Sequence, residues 1–126
     1  MALPRPTDAE LIILRVLWNR GPSTVRQVYQ VMSQERELAY TTVLKTLQVM
    51  TDKGLVVRDD STRTHVFQPA CSETQTQGGL VLDLMDRAFE GSAMRLVQAA
   101  LSQKRASRTE MEAIRQLLDS QGGGES

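Results

Sequence analysis

The chain has 126 residues, 40% of them hydrophobic and only 4% aromatic, which fits one small domain with or without an appendage and predicts a mainly aliphatic core. Its formal net charge is zero, but residues 1–70 hold nine Lys and Arg against seven Asp and Glu, whereas residues 71–126 hold six against eight. One Cys, one His and no apolar stretch near the roughly 20 residues of a membrane span exclude an internal disulfide framework, disfavour a structural zinc site and exclude a membrane-spanning helix.

Capping boxes predict the first two helices. Thr7 and Glu10 fit a box in which the hydroxyl and the carboxylate each accept a backbone N–H, and Gly21-Pro22 ends the helix that follows. Thr24 and Gln27 fit a second box. The residues with helical spacing that we expect to face the core are Ile13, Leu14, Leu17 and Trp18, then Val25, Val28, Tyr29 and Met32.

A third helix followed by a hairpin completes the first half of the chain. The helix starts at about Tyr40 and stops at Gly54, and its apolar residues are Val43, Leu44, Leu47 and Met50. Strands are predicted over Leu55–Arg58 and Thr64–Gln68, joined by the turn Asp59–Thr62. Three helices and a two-stranded wing predict a mainly α protein with an N-terminal winged helix-turn-helix, a fold typical of sequence-specific DNA binding. The basic excess of residues 1–70 is compatible with that function.

Three more helices are predicted in the second half. They cover Leu80–Phe89, a segment capped by Ser92, and a segment opened by the capping box Ser107–Glu110. The polar residues before them show no periodicity. The predicted organisation is a winged-helix domain over 1–70, a hinge over 71–79, a helical domain over 80–121 and a disordered tail over 122–126.

The helical domain is predicted to form a homodimer. About 40 residues in three short helices bury too little surface to be stable alone, yet each helix has an apolar stripe. Two copies would present two third helices to half-sites about 10 bp, or a multiple of that, apart on a dyad-symmetric operator. The predicted dimerisation residues are Val81, Leu84, Met85, Ala88, Phe89, Leu96, Val97, Ala100, Leu101, Met111, Ile114, Leu117 and Leu118.

The outer face of the third helix carries the predicted DNA-binding residues. Thr41, Thr42, Lys45 and Thr46 lie in its first turns, where side chains reach base edges in the major groove, and Lys45 can bond guanine or neutralise a phosphate. A merely solvated helix face is the alternative. Tyr40 either bonds a phosphate or covers the edge of the core, and both interpretations stay open.

Further basic side chains flank this helix. Arg26, at the start of the second helix, is predicted to contact the DNA backbone, with surface solubility as the alternative. In the wing, Arg58, Arg63 and His65 are candidates for phosphate or minor-groove contact, and Arg63 is the one selected. Solvated charges on a hairpin are equally compatible with these residues, and Asp59-Asp60 would oppose DNA at the tip.

The sequence lacks the parts of an enzyme. With only His65 and Cys71, and with no glycine-rich phosphate loop or metal-ligand spacing, we expect no catalysis, no cofactor and no metal. Cys71 is either an inert thiol, which is the simpler interpretation, or a redox-active residue. The N-terminal MALPRPTDAE lacks the apolar region of a signal peptide, so we expect a cytoplasmic protein without membrane insertion. The rival function is a winged helix used as a protein-interaction module.

The chain resembles the penicillinase repressor family of bacterial regulators (BlaI/MecI/CopY) over nearly its whole length. The segments that carry the resemblance are Asp8-Ala9-Glu10 with Leu14 and Leu17-Trp18, Thr24–Val28, Ala39–Val43, Leu47 with Lys53–Val56, and Phe89–Ser92. The resemblance implies a dimeric repressor with an N-terminal winged helix and a C-terminal helical dimerisation domain. It also implies control of resistance or stress-response genes.

The resemblance further implies possible routes of induction. Some members are inactivated when a membrane metallopeptidase sensor causes their cleavage, at an Asn-Phe bond in staphylococcal members. The matching positions here are Ala99 and Ala100, so the Asn-Phe pair is not present and the inducing signal stays open. Copper-responsive members bind metal through paired Cys-x-Cys motifs, which this chain lacks.

Overall fold

A computed structural model describes residues 5–103 and 106–123 and confirms the predicted fold class. A winged helix-turn-helix is followed by three further helices. The elements are α1 (Asp8–Arg20), α2 (Val25–Met32), α3 (Tyr40–Lys53), β1 (Val56–Asp59), β2 (Val66–Pro69), α4 (Glu73–Ala88), α5 (Ala93–Gln103) and α6 (Arg108–Gly123). Among the described residues, no helix has the length and apolar character needed to cross a membrane.

Both N-terminal capping boxes are present. Thr7 Oγ1 accepts from the N–H of Glu10 at 3.2 Å, and Glu10 Oε1 accepts from the N–H of Thr7 at 2.9 Å. The same reciprocal pair joins Thr24 and Gln27, at 3.2 and 2.9 Å. Because these bonds satisfy N–H groups that a helix start leaves unpaired, they fix where α1 and α2 begin.

The end of α3 is a Schellman motif. Gly54 has φ 83° and ψ 17°, a left-handed conformation that glycine adopts without a Cβ clash. Its N–H donates to the carbonyl of Thr51 at 3.1 Å, and the N–H of Leu55 donates to that of Met50 at 2.9 Å. Both Leu55 and Met50 are buried, so the chain leaves the helix directly into the core.

The wing is an antiparallel pair of β1 and β2 with Val56 opposite Pro69 and Asp59 opposite Val66. The predicted starts, Leu55 and Thr64, lie one residue before the start of β1 and two residues before that of β2. The N–H of Leu55 is bonded to the end of α3, and only its carbonyl extends the pairing, accepting the N–H of Ala70 at 2.9 Å; the carbonyl of Thr64 accepts from the hydroxyl of Thr62.

A third stretch of backbone pairs with the wing, which the sequence did not predict. Ser23, in the turn between α1 and α2, donates its N–H to the carbonyl of Phe67 at 3.0 Å and accepts the N–H of Phe67 at 2.8 Å. Ser23 is fully buried, and its hydroxyl donates to the carbonyl of Gly21. These bonds tie the wing to the helices and thereby fix its position beside α3.

An aliphatic core holds the three helices and the wing together. Its buried members are Ile13, Leu14, Leu17, Val25, Val28, Met32, Val43, Leu47, Met50, Leu55, Val56 and Phe67. The predicted core residues Trp18, Tyr29 and Leu44 pack partly buried around it. Trp18 Nε1 also donates to the carbonyl of Cys71 at 3.1 Å, which anchors the segment leading into α4 to α1.

The prediction of an irregular hinge over residues 71–79 is wrong, because α4 begins at Glu73 rather than Leu80. A capping box that the sequence analysis overlooked explains the early start. Ser72 Oγ accepts from the N–H of Gln75 at 3.0 Å, and Gln75 Oε1 accepts from the N–H of Ser72 at 3.1 Å. The compact units divide after Val81, within α4.

The predicted starts of α5 and α6 are confirmed. Ser92 Oγ accepts from the N–H of Arg95 at 3.1 Å, and Ser107 Oγ accepts from that of Glu110 at 3.0 Å. The preceding helix ends at Ala88, and Glu90 and Gly91 follow it with φ of 52° and 77°; the N–H of Gly91 donates to the carbonyl of Met85 at 2.9 Å. In the predicted tail, residues 122 and 123 belong to α6, whereas residues 124–126 lie outside those the structure describes.

Candidate nucleic-acid interface

The outer face of α3 presents polar side chains from a helix whose inner face is locked in the core. Thr41, Thr42 and Lys45 are exposed, while Val43 and Leu47, on the opposite side, are almost completely buried. Burial of one face restrains the rotation of the helix, so the other face has a defined orientation. Lys45 forms no ion pair with any residue that the structure describes.

Thr46 differs from the other predicted residues of this face. It is half-buried, and its hydroxyl donates to the carbonyl of Thr42 at 2.8 Å, one turn earlier. Its donor is therefore already used within the helix, and only its methyl group and the oxygen lone pairs are left for an external contact. Its role in DNA binding stays a prediction.

Tyr40, the first residue of α3, contacts through its ring a predicted core residue, Tyr29, and a predicted site residue, Arg26. The rings of Tyr40 and Tyr29 lie edge to face, with centroids 5.7 Å apart and planes at 71°. The guanidinium of Arg26 lies 5.4 Å from the centroid of the Tyr40 ring. Tyr40 is 36% exposed, and its contact with a phosphate stays a prediction.

A groove of about 560 Å³ lies between the helices and the wing. It collects basic and polar residues that are far apart in the sequence. Those that line it include Arg26, Tyr40, Gln48, Arg58, Arg63, Thr64 and His65. The three wing candidates thus face the same groove as Arg26 and α3. Gln48 is exposed on α3 and was not among the predicted DNA-binding residues, and its side-chain amide can donate and accept at a base edge.

Ion pairs within the wing determine which of its basic side chains remain available for contact with DNA. Asp60 Oδ1 lies 2.8 Å from Arg58 Nε and 3.5 Å from His65 Nε2. Asp59 instead accepts the N–H of Ser61 at 2.9 Å, and its hydrogen bonds to Ser61 lower the pKa of its carboxyl. Asp60 therefore balances charge inside the hairpin.

Arg63 is the least constrained cation of the wing. Among residues 5–103 and 106–121 it forms no ion pair, in contrast to Arg58. It is exposed and lines the groove. A guanidinium in that state can meet a phosphate without first breaking a bond within the protein.

An ion pair between the buried Glu10 and the exposed Lys53 fixes the far end of α3. Lys53 Nζ lies 2.6 Å from Oε1 of Glu10, whose side chain is only 5% exposed. Burial would raise the pKa of Glu10, but the hydrogen bonds from Lys53 and Thr7 and the charge of Lys53 outweigh it, so the pKa is lowered. The pair joins the start of α1 to the end of α3 and so helps to hold the outer face of α3 in place.

The predicted dimerisation residues carry apolar surface that a single chain does not cover. None of the described residues of the second unit, up to residue 121, is buried. Among the predicted residues, the exposed large ones are Val81, Leu84, Val97, Leu101, Met111, Leu117 and Leu118. Met85, Phe89, Leu96 and Ile114 are partly buried, and Ala88 and Ala100 are exposed.

The positions that match the cleavage pair lie within a helix. Ala99 and Ala100 belong to α5, Ala93–Gln103. Cleavage at this bond would require the helix to open first, at least locally, because a protease acts on the transiently opened chain.

Comparisons with known proteins agree with this architecture. The profile of the penicillinase repressor family matches residues 6–120. The transcriptional regulator BlaI of Mycobacterium tuberculosis, in strains CDC 1551 / Oshkosh and ATCC 25618 / H37Rv, is 38% identical over 119 residues, covering 92% of this chain and 84% of that protein.

Two solved structures share the fold. The solution structure of the DNA binding domain of the repressor BlaI has a TM-score of 0.52 and 24% identity, over 60% of this chain and 93% of that one. The monomeric form of Bacillus licheniformis BlaI in complex with the blaP half-operator has a TM-score of 0.51 and 23% identity, over 58% of this chain and 89% of that one.

Proposed function

The chain belongs to the penicillinase repressor family, and from this premise we propose that it is a homodimeric transcriptional repressor that binds a dyad-symmetric operator. The first unit reads the DNA and the second joins two copies. The regulated genes are those of a resistance or stress response. We assign no enzymatic activity to the chain.

The observation that carries the DNA-binding part is the outer face of α3 beside the basic groove. Thr41, Thr42 and Lys45 project from a helix fixed by its buried side, and Arg26 and Arg63 line the neighbouring groove. Hydroxyl, methyl and ammonium groups are the kinds that read base edges, whereas guanidinium groups flanking the helix suit phosphates. The half-operator complex of a structural relative is in keeping with this proposal.

The observation that supports dimerisation is the uncovered apolar surface of α4, α5 and α6. Leu117 and Leu118 are 60% and 61% exposed in the single chain, and Leu84 is 48% exposed. Large apolar side chains exposed in this number suit a protein interface. A two-fold dimer would place two copies of α3 on half-sites about one DNA turn, or a multiple, apart.

Selection of bound duplexes from a random library, with the full-length chain as bait, tests the proposal. We expect enrichment of one dyad-symmetric sequence that binds one dimer, with an affinity for random duplex about 10³-fold or more weaker. Affinity should fall steeply as salt rises, because phosphate contacts release counterions.

The opposite outcome is equally informative. A library that yields no enriched sequence, with equal binding of all duplexes, would reject the operator. It would favour the rival function, a winged helix that serves as a protein-interaction module.

A further inference from the structure

Tyr29, which the sequence assigned to the core, links α2 to the start of α3. We propose that Tyr29 is a positioning residue for DNA binding: it holds the ring of Tyr40 so that Arg26 is fixed beside the first turn of α3. The proposal rests on the proposed DNA-binding function and adds to it a residue that does not itself touch DNA.

The geometry forms a continuous chain of contacts from the core to the surface. Arg26 and Tyr29 are three positions apart on α2, so both lie on one face of that helix. Tyr40 enters from α3 and meets both, with its ring 5.7 Å from that of Tyr29 and 5.4 Å from the Arg26 guanidinium. An edge-to-face ring pair and a cation over a ring face are both electrostatically favourable arrangements.

Arg26 needs such a support because nothing else in the described structure restrains it. It is exposed and forms no ion pair among residues 5–103 and 106–121. A free arginine side chain samples many rotamers, and a ligand that binds it must order it. Tyr29 is half-buried and packs against the core. Because it restrains the ring of Tyr40, which contacts Arg26, it also restrains the guanidinium.

A contact of this kind affects affinity rather than sequence preference. The guanidinium of Arg26 lies beside the start of the helix, where a phosphate contact carries no base information. Loss of Tyr29 should therefore weaken binding to the selected duplex and to random duplex by the same factor. This separates the positioning role from any direct reading of bases by α3.

Binding measurements on the full-length protein test the coupling. We expect Tyr29→Phe to bind like the wild type, because the ring is retained, and Tyr29→Leu to lose about two- to fivefold in affinity, the range of an exposed cation–π contact. Arg26→Ala should lose at least as much. The double variant Tyr29→Leu with Arg26→Ala should bind no worse than Arg26→Ala alone, because the two residues act in series.

A separate outcome overturns the inference. If the two losses multiply in the double variant, or if Tyr29→Leu binds like the wild type, Tyr29 does not act through Arg26. If Tyr29→Leu fails to fold, as judged by its thermal midpoint, Tyr40→Leu is compared with Tyr40→Phe, which lacks the hydroxyl of the predicted phosphate contact but keeps the ring. Tyr40→Leu should bind more weakly than Tyr40→Phe by about the factor that Arg26→Ala loses, and equal affinities of the two contradict the inference.

A measurement without DNA keeps this inference distinct from the proposed function. In the free protein, the ring current of Tyr40 should shift the side-chain protons of Arg26 upfield in the NMR spectrum. Tyr29→Phe should retain this shift, Tyr29→Leu should reduce it and Tyr40→Leu should abolish it. An unchanged shift in Tyr29→Leu rejects the positioning role, whereas absence of operator preference in the wild type rejects the proposed function.

Discussion

The two halves of the molecule each contain three helices but bury their apolar residues differently. The first unit closes a core of twelve buried apolar residues with helices on several sides and a wing. In the second unit, none of the described residues up to 121 is buried, although its helices carry Leu84, Val97 and Leu117. The difference lies in what completes each core. The first unit completes its core with its own strands. The second unit leaves apolar side chains exposed, which a second copy would cover in the proposed dimer.

This difference separates two sources of stability. The first unit should fold at any concentration, because all its contacts are within the chain. The second should gain most of its stability from association, so that its unfolding depends on protein concentration. In the proposed dimer, each copy would keep its DNA-binding surface, whereas the pairing of the two surfaces would be reversible. The experiments that follow can break or sharpen this contrast.

Truncation after Val81 should have the largest effect. The fragment keeps the bond from Trp18 to the carbonyl of Cys71, and we expect it to be a folded monomer. Its affinity for the selected dyad-symmetric duplex should fall by about 10²–10⁴-fold, because the two half-sites no longer bind as one unit. Sedimentation and fluorescence anisotropy measure both quantities. A fragment that sediments as a dimer would show that the interface lies in the first unit.

The same substitution in the two units should have different consequences. Leu47→Ala, at a position with no exposed surface, should lower the free energy of unfolding of the first unit by about 2–5 kcal/mol at every protein concentration. Leu117→Ala, at a position 60% exposed in one chain, should instead weaken dimerisation. Thermal melts over a hundredfold range of concentration distinguish the two. Equal, concentration-independent losses would remove the contrast between the units.

Lys45→Ala should act on DNA binding alone. If Lys45 bonds a base, we expect operator affinity to fall by about 1–3 kcal/mol while the thermal midpoint stays unchanged. Arg115→Ala is a suitable control, since Arg115 lies on α6 and pairs with Glu112 at 3.7 Å in the second unit. Anisotropy titrations at low salt give the comparison. Similar losses for both variants would mean that Lys45 contributes only general charge.

The Glu10–Lys53 pair makes the stability of the first unit depend on pH. Because the pKa of Glu10 is lowered from 4.5, its ionised form stabilises the fold above that pH, and this contribution is lost as the pH falls through the lower, folded-state pKa. Glu10→Gln should cost about 1 kcal/mol near neutral pH, the difference between a charged and a neutral hydrogen bond. Denaturant titrations should show the cost vanishing in acid. A constant difference at all pH values would contradict the assignment.

The local features of the fold were predictable, because their partners are close in the sequence. The boxes at Thr7 and Thr24 and the cap at Ser92 each join residues three apart, so the residue types alone revealed them. The box at Ser72 obeys the same rule. It was missed because the segment was judged by its lack of apolar periodicity, and its helix was therefore started seven residues late, at Leu80 instead of Glu73.

The contacts that position the site could not be predicted, because they join residues distant in the chain. Glu10 and Lys53 are 43 residues apart, and Trp18 and Cys71 are 53 apart. Helical periodicity sorted the outer face of α3 from its inner face, so Lys45 was placed correctly on the surface. Periodicity says nothing of rotamers, however. The stacking of Arg26 on Tyr40 and the pairing of Asp60 within the wing therefore emerged only in three dimensions.

Substitution of Asp60 should change the DNA affinity least of all these variants, but its outcome separates two explanations. Asp60 pairs with Arg58 at 2.8 Å and also lies 3.5 Å from His65 Nε2, so it withholds the positive charge of Arg58 from the groove. Asp60→Asn should free the Arg58 guanidinium and raise the affinity for any duplex by about two- to fivefold, with a steeper dependence on salt. Asp59→Asn is the matched control, because Asp59 carries the same charge one residue away but binds the N–H of Ser61 instead. If both variants raise affinity equally, simple repulsion explains the effect. A gain in affinity confined to Asp60→Asn would show that the Asp60 ion pair weakens the contact of the wing with the DNA backbone. Sequence preference would then depend on α3.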